Sequence, residues 1–214
     1  MRIIFQEQQL QLHAHKAIYW EEAQSLLIAD LHLGKVEHFR KNGLAAPASA
    51  AQANYERLRE LIEEFQPQRV LFLGDLFHSR LNYSWEQFCR FLLDFPTVQF
   101  ELIKGNHDIL PEAIYQSSVL HIHPETLTIP PFILSHYPLE EVPEGLYNFY
   151  GHLHPGAVLE GLGKQRLKLP CFHFGAQQAV LPAFGVFTGL SIVRPTAGDR
   201  VYVVAEQEVL KVLG

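Results

Sequence analysis

The sequence predicts an α/β sandwich of four layers, αββα, with two mixed sheets packed together and helices outside. Three observations predict it. Short apolar runs stop abruptly at Asp, Asn or His. Between residues 25 and 103 the pattern reads strand, helix, strand, helix, strand, as in βαβ units. Beyond Pro111 the apolar runs lie close together, which suits a second, mixed sheet. A length of 214 residues with 48% hydrophobic and 19% charged content suits one domain over 1–214 that buries a full core.

In chain order, the runs at 3–5, 10–12 and 17–20 predict short strands at a sheet edge, with Glu21 and Glu22 in a turn. Residues 25–29 form an apolar strand ending in Asp30-Leu31-His32, followed by the polar segment 34–42, which Gly43 closes and which can overhang a site. Ser49 and Gln52 make a capping box, and Leu58, Leu61, Ile62 and Phe65 keep helical spacing until Pro67. The strand at 70–73 ends in Gly74-Asp75. A second helical stripe runs through Trp85, Phe88, Cys89, Leu92 and Leu93. The alternating run 98–103 ends at Gly105, whose backbone freedom lets the chain turn and present Asn106, His107 and Asp108. Runs at 119–122, 127–129, 132–134, 166–169, 190–193 and 201–205 complete the expected strands. Of these, 132–134 ends in Ser135-His136, and Phe149-Tyr150 leads into Gly151-His152-Leu153-His154.

Composition excludes several classes. A formal net charge of −6 gives no basic surface of the kind that holds duplex nucleic acid by counterion release. Two cysteines, Cys89 and Cys171, make neither a disulfide framework nor a sulfur-rich metal knot, which predicts a reducing cytoplasm. The polar residues after Phe5 rule out a signal peptide, and no apolar run reaches the length of a membrane span. The unusual count is 12 histidines against 17 Lys and Arg. Imidazole is the commonest metal ligand.

Five strand ends therefore carry Asp30, His32, Asp75, Asn106, His136, His152 and His154. Ligands in layered α/β folds bind at strand ends, so the five can converge. Hard oxygens with imidazoles and no thiolate suit manganese, iron, zinc or cobalt. Seven donors exceed one structural ion. Two divalent ions roughly 3.5 to 4 Å apart, sharing one carboxylate, use them all and can clamp both oxygens of an in-line phosphoryl displacement. Two carboxylates and a bridging hydroxide leave such a pair positive enough to draw an anionic phosphate ester.

The order Asp-x-His, Gly-Asp, Gly-Asn-His-Asp, Ser-His, Gly-His-x-His, from Asp30 to His154, resembles the calcineurin-like metallophosphoesterase superfamily. The resemblance implies a calcineurin-like fold, with Asp30, His32, Asp75 and His154 on one ion and Asp75, Asn106, His136 and His152 on the other. It implies attack by a metal-bridging hydroxide, with His107 contacting the phosphate and protonating the leaving group, and Asp108 orienting His107. The chain departs from the common pattern at His78, where many members have a second Asp, and at Ser135, which stands for Gly or Thr. The segments from Asp30 to Gly43, from Gly74 to Ser79 and from Leu181 to Gly189 are similar to the bacterial DNA-ligase-associated, DNA-damage-response phosphoesterases of the PdeM type. That likeness implies a manganese-favouring phosphodiesterase or endonuclease in DNA repair, with nickel as a further ion. It also implies single-stranded or damaged DNA as substrate, and a ligase, a helicase and a second nuclease in the same pathway.

Lys35 and Arg40 can grip a substrate phosphate or form a solvated helix face, and His78 faces the substrate or supports the ligands. His38 is expected at the surface. His13, His15, His121 and His123 are expected in structural or exposed roles, His173 in packing, and Tyr137 in packing or base stacking. The rival readings are a hydrolase of small nucleotides, dinucleotides or sugar-nucleotides, and a non-catalytic scaffold of the same fold.

Overall fold

The computed structural model describes residues 1–35, 49–77, 83–161, 163, 165–186 and 188–214, with the side chains of 49–51 and 83 left aside. Chain order begins with four strands: β1 (Arg2–Phe5), β2 (Gln8–His13), β3 (Ala17–Trp20) and β4 (Ser25–Ile28). Then follow α1 (Ser49–Phe65), β5 (Arg69–Leu73), α2 (Tyr83–Leu93), β6 (Gln99–Ile103), α3 (Glu112–Gln116) and β7 (Leu120–His123). These seven strands form one sheet in the order β1 to β7, antiparallel through β4 and parallel from β4 onward. The parallel half is where helices α1 and α2 cross over, as the alternating sequence pattern requires.

A second sheet holds β8 (Thr126–Ile129), β9 (Phe132–Ser135), β10 (Tyr147–Tyr150), β11 (Pro155–Glu160), β12 (Arg166–Phe174), β13 (Gln178–Val180), β14 (Ser191–Ile192), β15 (Arg200–Ala205) and β16 (Glu208–Leu213). Its order is β14-β11-β12-β13-β10-β9-β8, and β15 pairs with β12 and β16. Both sheets are mixed, and the α/β class is the expected one. Strand β12 runs past the expected 166–169, and β11, β13, β16 and the five-residue α3 lie outside the predicted set.

Two apolar interfaces hold the layers. Leu58, Leu61 and Ile62 of α1 and Phe88 and Leu92 of α2 bury against Leu26, Phe72, Phe100 and Leu102 on one face of the first sheet. Leu27, Leu71, Leu73 and Ile103 on its other face meet Phe132, Leu134, Phe149, Phe172 and Phe174 of the second sheet. Alternation along each strand sends successive side chains to these two opposite faces. The apolar clusters of the second sheet contain no residue of a described helix; Leu159, Leu169 and Val193 cover Cys171, Val201 and Val203 instead. Among the described residues no helix is long and apolar enough to cross a membrane.

The sheets also meet through the backbone beside Asp30. Ala29 and Ala183 form a parallel bridge, and the Phe184 and Gly185 amides donate to the carbonyls of Ala29 and Asp30 at 2.8 and 3.1 Å. Since the Leu181 amide donates to the Tyr150 carbonyl at 2.9 Å, residues 181–185 tie the end of β10 to the end of β4.

Candidate metal centre

All seven predicted donors sit just past strand ends at one edge of the sandwich: Asp30 and His32 after β4, Asp75 after β5, Asn106 after β6, His136 after β9, and His152 and His154 between β10 and β11. Their ligand atoms form two groups that can each hold an ion: Asp30, His32 and His154, and Asp75, His136 and His152. Within the first group the His154 Nε2 atom lies 3.7 Å from Asp30 Oδ1 and 3.3 Å from His32 Nε2. Near the second, His136 Nε2 lies 3.5 Å from Asp75 Oδ1 and 3.3 Å from Asn106 Oδ1.

Asp75 faces both groups. Its Oδ1 points to His136, while its Oδ2 lies 3.8 Å from His32 Nε2. One carboxylate thus offers an oxygen to each group, which is the geometry a bridging ligand needs.

The local backbone explains how the donors come so close. Asp30, His32, Asp75, His152 and His154 all have left-handed φ, between 48° and 67°. Asp and His enter this region more readily than most residues, yet each such residue costs about 1–3 kcal/mol unless its surroundings enforce it. Those surroundings are hydrogen bonds: the amide of Asp30 donates to Gly74 O, that of His32 to Asp75 O, and that of His152 to Asp30 Oδ2 at 2.8 Å. Glycines supply the remaining clearance. A Cβ on Gly74 would sit 2.1 Å from His136 Nδ1, and one on Gly105 would sit 2.4 Å from Asp75 Oδ1.

Tautomers follow from the same contacts. His136 Nδ1 lies 3.0 Å from the Leu73 carbonyl, which only accepts, so Nδ1 carries the proton and the Nε2 lone pair faces Asp75 and Asn106. Burial, reinforced by His136 and opposed by Asp30 and Asp75, holds His152 below the usual imidazole range. A neutral imidazole is the ligating form.

Cations fit this donor set. Asp30 and Asp75 are 1% and 2% exposed, and among the described residues neither pairs with Lys or Arg within ion-pair distance. Asp30 Oδ1 is buried and accepts no hydrogen bond. Buried carboxylates without a protein counter-ion call for an external one. With imidazole and amide donors beside them, divalent ions of the manganese-to-zinc series match the chemistry.

Other predicted residues divide. The amide of His107 donates to Asp75 Oδ1 at 2.9 Å, and its half-buried ring stands 5.4 Å from the His32 ring, so it faces the first group. Asp108 is held by backbone amides. Its Oδ1 accepts the amides of Leu76 and Phe77 at 3.0 and 3.3 Å, and its Oδ2 the amide of Gly105 at 2.9 Å. These three amide donors let Asp108 tie together the loops after β5 and β6. Burial pushes its carboxyl up to about 6, against the pull of the Gly105 and Phe77 amides.

Lys35 is half-buried beside the centre. Burial lowers its ammonium from the usual range while Asp30 and Asp75 oppose that shift. Arg40, His38 and His78 lie outside the described residues. The Ser135 hydroxyl donates to the Tyr137 carbonyl at 2.6 Å and accepts from Asn148 at 3.0 Å, so it fastens the turn that presents His136.

Four further histidines meet carboxylates elsewhere, His123 with Glu101, His173 with Asp199, and His13 and His15 with Glu64 and Glu60, while His121 is exposed. Tyr137 is closer to the chemistry than its neighbours in sequence suggest. Its hydroxyl donates to Asn106 Oδ1 at 3.0 Å, its ring lies 4.6 Å from the His152 ring, and it remains 44% exposed. Its position directly after a ligand was the only signal.

Comparison with known proteins agrees with this geometry. The Pseudomonas putida nuclease MPE superposes with a TM-score of 0.81 at 30% identity, covering 99% of each chain. Escherichia coli Yfce, a phosphoesterase, gives a TM-score of 0.49 at 15% identity, covering 88% of this chain and 97% of that one. No curated protein sequence matches the chain. The family described as calcineurin-like phosphoesterase matches residues 24–189, the stretch that contains all seven donors. The chain therefore belongs to the calcineurin-like phosphoesterase family and is a metal-dependent phosphoesterase.

Proposed function

We propose that the chain, acting as one unit over residues 1–214, hydrolyses phosphodiester bonds in DNA, single-stranded or damaged, as an endonuclease of DNA repair. The observation that carries the catalytic part is the placement of Asp75, one oxygen toward each histidine group. Asp30, His32, Asp75 and His154 would hold one ion, and Asp75, Asn106, His136 and His152 the other. Manganese is the first choice of ion. Bound there, two divalent ions supply Lewis acidity for the phosphoryl group and an acidified water.

The protein's own groups do the rest. Asp75 fixes the separation of the two donor groups, and its contact with the His107 amide sets the loop that carries His107. The His107 ring, beside the first group, contacts the scissile phosphate and protonates the departing oxygen. Lys35, within the field of Asp30 and Asp75, draws the substrate anion toward the centre. The exposed Tyr137 ring offers a stacking face for a base. The likeness to a protein known as a nuclease supports a nucleic-acid substrate. A ligase, a helicase and a second nuclease of a cytoplasmic repair pathway are the proposed functional partners, and such a partner can provide the extended DNA surface that a chain of net charge −6 lacks.

The test compares manganese-loaded protein with an Asp75→Asn variant purified identically, on single-stranded DNA and on bis(p-nitrophenyl) phosphate. The expected result is cleavage of both by the wild type and a loss of about a thousandfold or more in the variant, the scale on which essential catalytic groups act. Hydrolysis of the small diester alone redirects the assignment to nucleotides, dinucleotides or sugar-nucleotides. DNA cleavage that survives in the variant belongs to a contaminant.

A further inference from the structure

A second set of charged groups lies on the same sheet edge as the metal centre and takes no part in it. Ala17 pairs with Ile28, so the β2–β3 turn stands at the end of β4 that delivers Asp30, one strand away. Adjacent strands are about 4.8 Å apart. Lys16 occupies this turn with a left-handed φ of 62°, and its Nζ donates to the Gly185 carbonyl at 3.2 Å. Gly185 in turn donates its amide to the Asp30 carbonyl. Lys16 is thus two hydrogen bonds from the backbone of the first predicted ligand.

Beside it opens a cavity of about 720 Å³ whose walls include Lys16, His15, Arg57 of α1, Thr188 and Glu206. Among the described residues no carboxylate pairs with Lys16 or Arg57, and Arg57 is the one charged group whose field acts appreciably on Lys16. Glu60 is taken by His15 at 2.8 Å, and Glu206 lines the wall without pairing to either cation. In a chain of net charge −6, two facing cations left uncompensated in a concavity stand out. Burial, then repulsion by Arg57, pushes the Lys16 ammonium down to about 7, a penalty that an anion between the two would remove.

We infer that Lys16 and Arg57 form a second phosphate-binding site, which holds a backbone phosphate of a nucleic-acid strand whose neighbouring phosphodiester lies at the metal centre. An ammonium and a planar guanidinium on the wall of one cavity can together hold one phosphate. This site rests on the nuclease reading above and extends it. It explains how an acidic protein can hold a strand: the positive charge is concentrated at one sheet edge rather than spread over the surface.

The experiment measures steady-state cleavage of a single-stranded oligonucleotide over a range of salt, with bis(p-nitrophenyl) phosphate in parallel, for wild type, Arg57→Gln and Lys16→Gln/Arg57→Gln. Losing one held phosphate should raise the DNA KM about tenfold in the double variant and lower the slope of log KM against log salt by about 0.7. The small diester has a single phosphate and does not reach the cavity, so its kcat/KM should stay within twofold. Arg57→Gln changes a helix side chain and gives a partial effect in the same direction if the double variant folds poorly, and Arg57→Lys should recover most of the KM.

Unchanged DNA KM and salt slope in the variants overturn the site. So does an equal fall on both substrates, which would make the two residues mere supports of the Asp30 loop. A wild type that hydrolyses the diester but leaves DNA intact refutes the nuclease reading, and this site with it. An active wild type with indifferent variants refutes the site alone.

Discussion

Two buried clusters in this protein both set carboxylates beside imidazoles and reach opposite ends. Glu101 on β6, with a side chain only 3% exposed, is closed by protein charge: Arg69 approaches at 2.6 and 2.7 Å through two nitrogens, and His123 at 2.6 Å. Asp30 and Asp75 are buried as deeply, but their nearest charged-capable neighbours are imidazoles at 3.5–3.9 Å, too long for hydrogen bonds, and no Arg or Lys pairs with them among the described residues. A buried carboxylate needs a cation, and where the chain supplies one the cluster is structural. Where the described residues supply none, and imidazoles face the carboxylates instead, the cluster suits an ion from outside. The Lys16–Arg57 pair is the mirror case, cations for which the described residues supply no anion.

The largest test of this contrast removes the protein cation at Glu101. Arg69→Met leaves a buried carboxylate held by His123 alone and should cost about 3 kcal/mol, the low end for breaking a buried pair because the Arg69 side chain is 25% exposed. Denaturant melts should show that loss while kcat on the small diester keeps its wild-type value. A stable variant would erase the distinction between the two clusters. Next, manganese at a hundredfold excess over its Kd should stabilise the metal-stripped wild type by about 2.7 kcal/mol per occupied site. Thermal melts of Asp75→Asn should lose most of that increment, whereas Arg69→Met should keep it.

The smallest expected effect is on the mirror case and depends on pH. Lys16 has a folded pKa of about 7 against an ordinary 10.5, so the folded state resists its protonation. The penalty is complete below pH 7 and fades as pH rises from 7 toward 10.5, because over that window the unfolded chain binds the additional proton. Lys16→Met should therefore melt above the wild type at pH 6.5, with the gap narrowing by pH 9.5. A gap independent of pH would mean that Lys16 is not desolvated in the folded protein.

The site was legible in the sequence because its donors sit where apolar strands stop, and a strand end fixes both a residue's neighbourhood and its freedom from the pleat. Asp30, Asp75, Asn106 and His136 follow that rule and meet at one edge. The amide contacts of Asp108 were not legible. Which backbone amides its carboxylate accepts depends on the path the chain takes after Gly105, and here that path brings it to the amides of Leu76 and Phe77. Strands β11 and β16 escaped for a different reason. One begins at Pro155, and the other buries only Val209 and leaves the rest of its side chains exposed, so neither carries the apolar signature of a core strand. The Lys16–Arg57 pair joins a turn to a helix 41 residues later, a juxtaposition created only by tertiary packing.

The left-handed backbone at Asp30, His32, Asp75, His152 and His154 also bears on how such a chain can change over generations. Glycine at any of those positions would relax the backbone and abolish a donor in the same step. At Asp30 and Asp75 it would also leave the amides of His152 and His107 without their acceptors, so relief of strain there is offset by lost hydrogen bonds. Five left-handed positions occupied by Asp and His instead of glycine are what a shared edge of donors costs this backbone.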